Sequence, residues 1–240
     1  MIEIRNLCTS FDGMSVLRGV NLTIEKGTTV VILGTSGAGK SVLLKSIIGL
    51  VTPDSGSIRI DGKEIVGMEL QDLYALRRRM GYLFQGAALY DSMSVRGNLE
   101  FALRRREALE EDEMGRRVEE QLRLVGLADA IDKMPSQLSG GMRKRIGLAR
   151  ALITQPEVML YDEPTTGLDP VTGREISELI QSLEQRHAMT SIAVTHDIAC
   201  ARIIADGVAM LNKGVISFEG ALGAMEQTDD ELIRQFFATA

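Results

Sequence analysis

The chain has 240 residues, 45% of them apolar and 25% charged, with a formal net charge of −6. That length can bury one large α/β core with a smaller insertion rather than a second independent domain. The acidic balance excludes a general attraction to nucleic acid or anionic lipid and leaves only local basic patches. Arg77-Arg78-Arg79 and Arg104-Arg105-Arg106 are such patches, read as solvated helix faces or partner contacts. No apolar run approaches the ~20 residues that span a bilayer, and Met1-Ile2-Glu3-Ile4 lacks the regions of a signal peptide. A cytosolic chain is therefore expected. Cys8 and Cys200, both in apolar settings, are expected to be reduced buried thiols with no metal.

Along the chain, alternation in Ile2 to Leu7 and Val16 to Ile24 predicts an antiparallel β-layer. The β-branched run Val30 to Leu33 then feeds Gly34-Thr35-Ser36-Gly37-Ala38-Gly39-Lys40-Ser41, and a helical run follows from Val42 to Leu50. This is a phosphate-binding loop in its required context. The glycines let successive backbone N–H groups curl toward phosphate oxygens, and the helix N-terminus adds partial positive charge. Lys40 is expected at the β- and γ-phosphates and Ser41 on Mg²⁺. Thr52 to Ser57 reads as a turn before the strand Ile58 to Ile60. A strand from Met80 to Phe84 ends at Gln85, whose amide carries both a donor and a carbonyl acceptor.

Helical spacing from about Ser94 to Ala151 predicts a helical subdomain, and Pro135 marks a break just before Leu138-Ser139-Gly140-Gly141-Met142. Two glycines opening the basic helical run Arg143 to Ala151 make a second anion site. One nucleotide does not need two such sites, so Ser139 Oγ and the Gly141 N–H are expected to face the γ-phosphate held by another copy of the chain. Val158 to Glu163 reads as a buried strand that delivers two carboxylates to the sheet's ligand edge. Asp162 is placed to hold the Mg²⁺ shell, and Glu163 to orient or deprotonate the attacking water. Glu184 to His187 is a polar stretch, with His187 at a solvated helix end. The strand Thr190 to Thr195 precedes His196, a candidate donor to phosphate. Two short strands, Gly207 to Leu211 and Val215 to Glu219, and two terminal helices (about 220–238) close the chain.

The order of these motifs, with Gly167-Leu168-Asp169 included, resembles that of an ABC-transporter nucleotide-binding domain over roughly residues 2–220. The resemblance implies a single domain: a P-loop NTPase α/β core with a mainly parallel sheet, an N-terminal antiparallel β-layer and the helical subdomain (about 94–151) as an insertion. It implies ATP and Mg²⁺ as cofactors, a homodimer around two ATP, and transmembrane permease subunits, with no nucleic acid. It further implies that Gln85 links Mg²⁺ and the attacking water to the permease, that Asp169 lies at the dimer seam, and that His196 contacts the γ-phosphate. Such domains stack adenine on an aromatic residue a little over twenty positions before the loop, where Phe11 is the one ring at hand; Val16 is expected at its edge. Gly140 completes the second anion site.

Two local features narrow the resemblance to the ATPase of bacterial lipid transporters of the Mla/MCE type. One is Met142, where most such domains have Gln; the other is the segment Gln85 to Val95. That implies a phospholipid or related cargo, an MCE-domain lipid-binding partner, and a peripheral place on the cytoplasmic face of the inner membrane. An ATPase for another importer or exporter stays open. So does a soluble ATPase acting on DNA or ribosomes, although that class usually carries two ATPase units or a long coiled-coil insertion. Leu89, Tyr90 and Met93 are the expected apolar contacts for the permease.

Overall fold

A computed structural model describes residues 1–106 and 109–239 of the chain. Strands β1 (Ile2–Phe11) and β2 (Met14–Ile24) form an antiparallel hairpin with Phe11 opposite Met14. The two turn residues, Asp12 and Gly13, both have positive φ, 50° and 78°. That is the primed turn whose twist matches paired strands. On the other edge of β1 lies β4 (Ser55–Ile60), and β5 (Lys63–Glu64) completes the order β2-β1-β4-β5.

The second sheet runs β10-β9-β3-β8-β7-β6. Strands β3 (Thr29–Leu33), β6 (Met80–Leu83), β7 (Val158–Asp162), β8 (Thr190–Thr195) and β9 (Gly207–Asn212) are parallel to their neighbours, and β10 (Val215–Gly220) pairs antiparallel to β9. Every residue of β7 and β8 is buried, because both faces of the sheet are covered. On one face, helix α1 (Lys40–Ile47) packs Leu43, Leu44 and Ile47 into a cluster shared with the antiparallel sheet. Each such side chain contributes about 1.5–3 kcal/mol of apolar burial. The other face is covered by helices α6 (Pro170–His187), α7 (Ile198–Ile204), α8 (Leu222–Glu226) and α9 (Glu231–Thr239).

Helices α3 (Val95–Arg104), α4 (Glu111–Leu124) and α5 (Gly140–Leu152) share a third apolar cluster, built on Val95, Leu99, Met114, Val118, Leu122 and Ile146. The fold class is the expected one: an antiparallel layer, a mainly parallel sheet and a helical insertion. Pro135 opens a short 3₁₀ turn ahead of α5, at the predicted break. Among the described residues no helix is long and apolar enough to cross a membrane.

Several local readings change. The strand β4 begins inside the predicted turn, since Ser55 and Ser57 pair with Cys8 and Arg5 on β1. Helix α2 (Leu70–Arg77) is implied in the sequence only by the helix-face reading of the arginines at its end. The arginine run at its end is only partly a solvated face: Arg78 is exposed, but its two neighbours are held. Arg77 donates to the carbonyls of Ile48 (2.9 Å) and Gly49 (2.8 Å), and Arg79 bridges Asp61 and Glu157. Cys8 is half-buried, whereas Cys200 is buried, which raises its thiol pKa to about 12.

Of the polar stretch 184–187, His187 is exposed at the helix end as expected, whereas Glu184 is buried between α6 and the sheet. The Glu184 Oε2 accepts from Thr29 Oγ1 at 2.6 Å, but Oε1 and the Tyr161 and Ser191 hydroxyls complete no hydrogen bond among the described residues. Burial raises the Glu184 pKa above its ordinary 4.5, against the pull of the surrounding hydroxyls. An acid raised in the folded state costs nothing below its unfolded pKa. Above it, stability falls by about 1.4 kcal/mol per pH unit until the folded pKa is reached. Glu184→Gln is therefore expected to raise the melting temperature at pH 7 and to change it little at pH 4. An equal shift at both pH values would show that ionisation is not the cause.

Candidate active site

Strand β3 delivers the loop 34–41 to the sheet's C-terminal edge, beside the ends of β8 and β9. Two glycines make the loop's path possible. A Cβ on Gly34 would stand 2.4 Å from the Leu211 carbonyl oxygen, and Gly39 has φ 104° with a would-be Cβ 2.9 Å from Leu17. Thr35, Ser36 and Gly37 face solvent, while Ala38, Gly39 and Lys40 are buried. Lys40 Nζ donates to the carbonyls of Gly34 (2.7 Å) and Thr35 (3.2 Å) and ion-pairs with Glu163 at 3.1 Å. Helix α1 has no acidic residue in its first turn, so its dipole field is left unopposed for an anion.

Strand β7 brings the two carboxylates to the same edge. Asp162 accepts from Ser41 Oγ at 2.7 Å and from the Tyr82 hydroxyl at 3.0 Å. Burial beside the Asp162 charge raises the Tyr82 phenol, so it stays a donor. Glu163 lies just past the strand with φ 50°. Its carboxylate meets Lys40, Thr166 Oγ1 (2.9 Å), Thr195 Oγ1 (3.3 Å) and His196 Nδ1 (2.9 Å). Burial alone would raise the Glu163 pKa; the Lys40 ammonium, the Thr166 hydroxyl and His196 outweigh it and hold the carboxyl below its usual range. The His196 side chain is half exposed, with its second ring nitrogen available.

Ser139 caps α5, its Oγ accepting from the Met142 N–H at 3.2 Å, which leaves the hydroxyl proton free to donate outward. The side chains nearest Gly140 and Gly141 are those of Leu168 and Thr172, at the start of α6. Asp169 caps α6 and accepts from the N–H groups of Val171 and Thr172. The Thr172 hydroxyl bond leads the contacts that lower its pKa. Ser139, Gly140 and Asp169 are all exposed.

Hydrogen bonds and ion pairs thus link Lys40 with Glu163 and His196, and separately Ser41 with Asp162; the two sets stand side by side as one group because residues 40–41 and 162–163 are consecutive in the chain. Val16 lies beside the loop, its side chain 3.3 Å from the would-be Gly39 Cβ. Phe11, 44% exposed at the hairpin tip, Gln85, Ser139 and Asp169 form no hydrogen bond with this group among the described residues. The Phe11 ring is therefore not a core phenylalanine. The sequence reading missed Tyr82, Thr166, Thr195 and Lys144. Tyr82 lies on the strand Met80 to Phe84, which is buried at every position of β6, so no alternation marks it out. Lys144 is read only as one residue of the basic helical run behind the second anion site. It is buried, and its Nζ donates to the Glu163 carbonyl at 2.8 Å.

Residues 17–166 match the sequence profile of a family described as "ABC transporter". The chain belongs to the ABC transporter family. A protein of Mycobacterium tuberculosis, "Probable ribonucleotide transport ATP-binding protein mkl", is 43% identical over 235 residues, covering 98% of this chain. The "Methionine import ATP-binding protein MetN" of Corynebacterium glutamicum is 39% identical over 229 residues, covering 94% of this chain. The chain spans 66% and 63% of the lengths of these two relatives. Its fold superposes with a TM-score of 0.86 on the ATP-binding cassette MJ0796, solved as a dimer in a post-hydrolysis state bound to ADP and Pi. That match has 32% identity and covers 92% of this chain and 99% of the other.

Nucleotide and Mg²⁺ fit this ABC cassette on its own geometry. The Gly34 and Gly39 positions admit no side chain, which keeps the loop's N–H groups clear for phosphate. Among the described residues no cluster of three or more His, Cys, Asp or Glu could hold a metal by itself. Mg²⁺ typically takes only one or two carboxylates and completes its octahedron with phosphate and water, and Ser41 with Asp162 offers that kind of donor set.

A groove of about 950 Å³ opens beside β6, lined by Tyr74, Tyr82, Phe84, Tyr90 and Phe101 with the arginines 77, 78, 105 and 150 among them. Tyr90 is exposed and stands edge-on to Phe101. Leu89 instead packs on the helical cluster, and Met93 is half-buried outside the groove lining. Of the three expected permease contacts, Tyr90 alone lines the groove.

Proposed function

We propose that the chain hydrolyses ATP as the nucleotide-binding subunit of a membrane transporter, acting as a homodimer on permease subunits at the cytoplasmic face of the membrane. The observation that carries this is the single edge on which Lys40, Ser41, Asp162, Glu163 and His196 meet. In this reading residues 34–41 cradle the phosphates, with Lys40 at the β- and γ-phosphates, and Ser41, Asp162 and Gln85 hold Mg²⁺. Bound Mg²⁺ neutralises developing phosphate charge. Glu163 accepts the proton of the attacking water, His196 donates to the γ-phosphate, and Thr166 and Thr195 fix the carboxylate's direction. Phe11 stacks the adenine with Val16 at its edge. Ser139, Gly140 and Asp169, which are exposed, together with the half-buried Gly141, serve the partner copy's nucleotide. Residues 1–240 act as one such domain, with residues of about 94–151 as its helical subdomain.

For the cargo, the reading is phospholipid or a related lipid, with an MCE-domain protein in the complex. Its support is Met142 and the segment Gln85 to Val95, both similar to lipid-transporting members. The names of the mycobacterial and corynebacterial relatives point to ribonucleotide and methionine, so family membership alone does not fix the cargo. An ABC subunit for another solute is the second reading.

The aromatic groove gives the test. Tyr90→Glu is expected to leave folding and basal ATPase of the free subunit intact, because Tyr90 is exposed. It is expected to abolish co-purification with the permease and lipid-stimulated turnover, since a charge cannot easily be desolvated at an apolar contact. Normal permease binding by the variant would place the coupling surface elsewhere. A wild-type complex stimulated by a small solute and indifferent to lipid would favour the second reading.

A further inference from the structure

Three non-glycine residues just beyond the ends of β6 and β7 hold the left-handed conformation: Glu163 (φ 50°), Ala87 (φ 61°) and Ala88 (φ 48°). For an L-residue this conformation costs roughly 1–3 kcal/mol and persists only where the surroundings over-determine it. All three carbonyls are caught by basic side chains of the same helix, α5. Lys144 Nζ donates to the Glu163 carbonyl at 2.8 Å, and Arg150 donates to the carbonyls of Ala88 (2.7 Å) and Ala87 (3.0 Å). Between them, Gly147 lets the helix come close. A Cβ there would lie 2.9 Å from the Ala87 Cβ and 3.1 Å from Leu83.

Helix α5 therefore touches three functional places at once. Ser139 caps its N-terminus, its middle grips the backbone of the catalytic carboxylate, and its far end grips the segment after Gln85 that borders the aromatic groove. We propose that Lys144 is a positioning residue: its grip on the Glu163 carbonyl sets the direction of the Glu163 carboxylate and ties it to the placement of α5. The inference rests on the reading of Glu163 as the group that activates water. Lys144 never touches substrate. It acts through the main chain, where a buried ammonium can make a charge-assisted hydrogen bond that no neutral side chain equals. Burial lowers its pKa to about 8, opposed by the charges of Glu163 and Asp162; the stakes of leaving it unpaired are correspondingly high.

The test compares Lys144→Met, Lys144→Gln and Lys144→Arg in the full chain, each also combined with Glu163→Gln. For Lys144→Met, kcat is expected to fall by ~10- to 100-fold, the scale of a misplaced catalytic group, while KM and the affinity for fluorescent ATP stay within about twofold. Lys144→Arg, which keeps a charged donor, is expected to recover most of kcat. In the Glu163→Gln background, single-turnover hydrolysis is expected to show no further loss from Lys144→Met, since a residue acting through Glu163 has nothing left to position.

Wild-type kcat in folded Lys144→Met, or a full further loss on top of Glu163→Gln, overturns the inference. So does a parallel loss of ATP affinity. Should Lys144→Met not fold, Lys144→Gln against Lys144→Arg carries the same comparison, and equal activity of those two overturns it. Near-normal turnover of Glu163→Gln alone instead removes the underlying assignment. Slow Glu163→Gln beside fully active Lys144 variants removes only the role of α5.

Discussion

Glu163→Gln is expected to slow steady-state ATP hydrolysis by at least ~100-fold, the low end for removing a general base, while nucleotide stays bound and the closed dimer accumulates. Gln keeps the size of Glu and can still accept from Thr166 and Thr195, so the loop geometry survives. It cannot take a proton. The ion pair to Lys40 is also removed, which frees the ammonium for phosphate and favours retention of ATP. Both effects are checked in one preparation, by turnover and by nucleotide content after gel filtration. Near-normal steady-state turnover would remove the water-activating role from Glu163 and shift it to another group on this edge, with His196 the nearest.

The legibility of this site follows from the range of the interactions that build it. The loop 34–41 could be read because its glycine spacing is a local demand of the backbone, and strands β3 and β7 because burial on two faces leaves apolar runs, Val30 to Leu33 and Val158 to Leu160. The carboxylates Asp162 and Glu163 follow from where β7 ends. What the sequence hid are contacts made at long separation. Ser55 to Ser57 look like a turn until β1 lies beside them. Arg77 and Arg79 look like a charged helix face until the carbonyls of residues 48–49 and the acids Asp61 and Glu157 come within reach. Glu184 and Lys144 sit in polar runs and are buried, because each finds a partner more than ten residues away, Thr29 for one and the Glu163 carbonyl for the other. Polar residues in such runs show by pattern alone no sign of which one turns inward.

The second large effect concerns the exposed face that carries Ser139 and Asp169. If Ser139 and Gly141 complete the partner's site, activity per chain should rise with protein concentration as dimers form, and each of two single variants should be nearly inactive alone. Lys40→Ala removes a charge-assisted phosphate contact of about 1.5–3 kcal/mol, so it loses ATP itself. Ser139→Arg loses an N-cap, about 1 kcal/mol of helix stability, which does not unfold the chain but places a bulky side chain at the anion site. Two mixtures then separate service in trans from service in cis. In trans, the mixed dimer of Lys40→Ala with Ser139→Arg keeps one intact site, so an equal mixture should regain about a quarter of wild-type activity: half the dimers are mixed and half of their sites are intact. A chain bearing both substitutions, mixed with wild type, then has no intact site in the mixed dimer. In cis the outcomes reverse: the singles never complement, and the double variant leaves the wild-type chain's site untouched. Complementation of the two singles, measured as phosphate release against total protein concentration, is the expected result. Concentration-independent activity from a species that stays monomeric in light scattering would return Ser139 to the role of a helix cap.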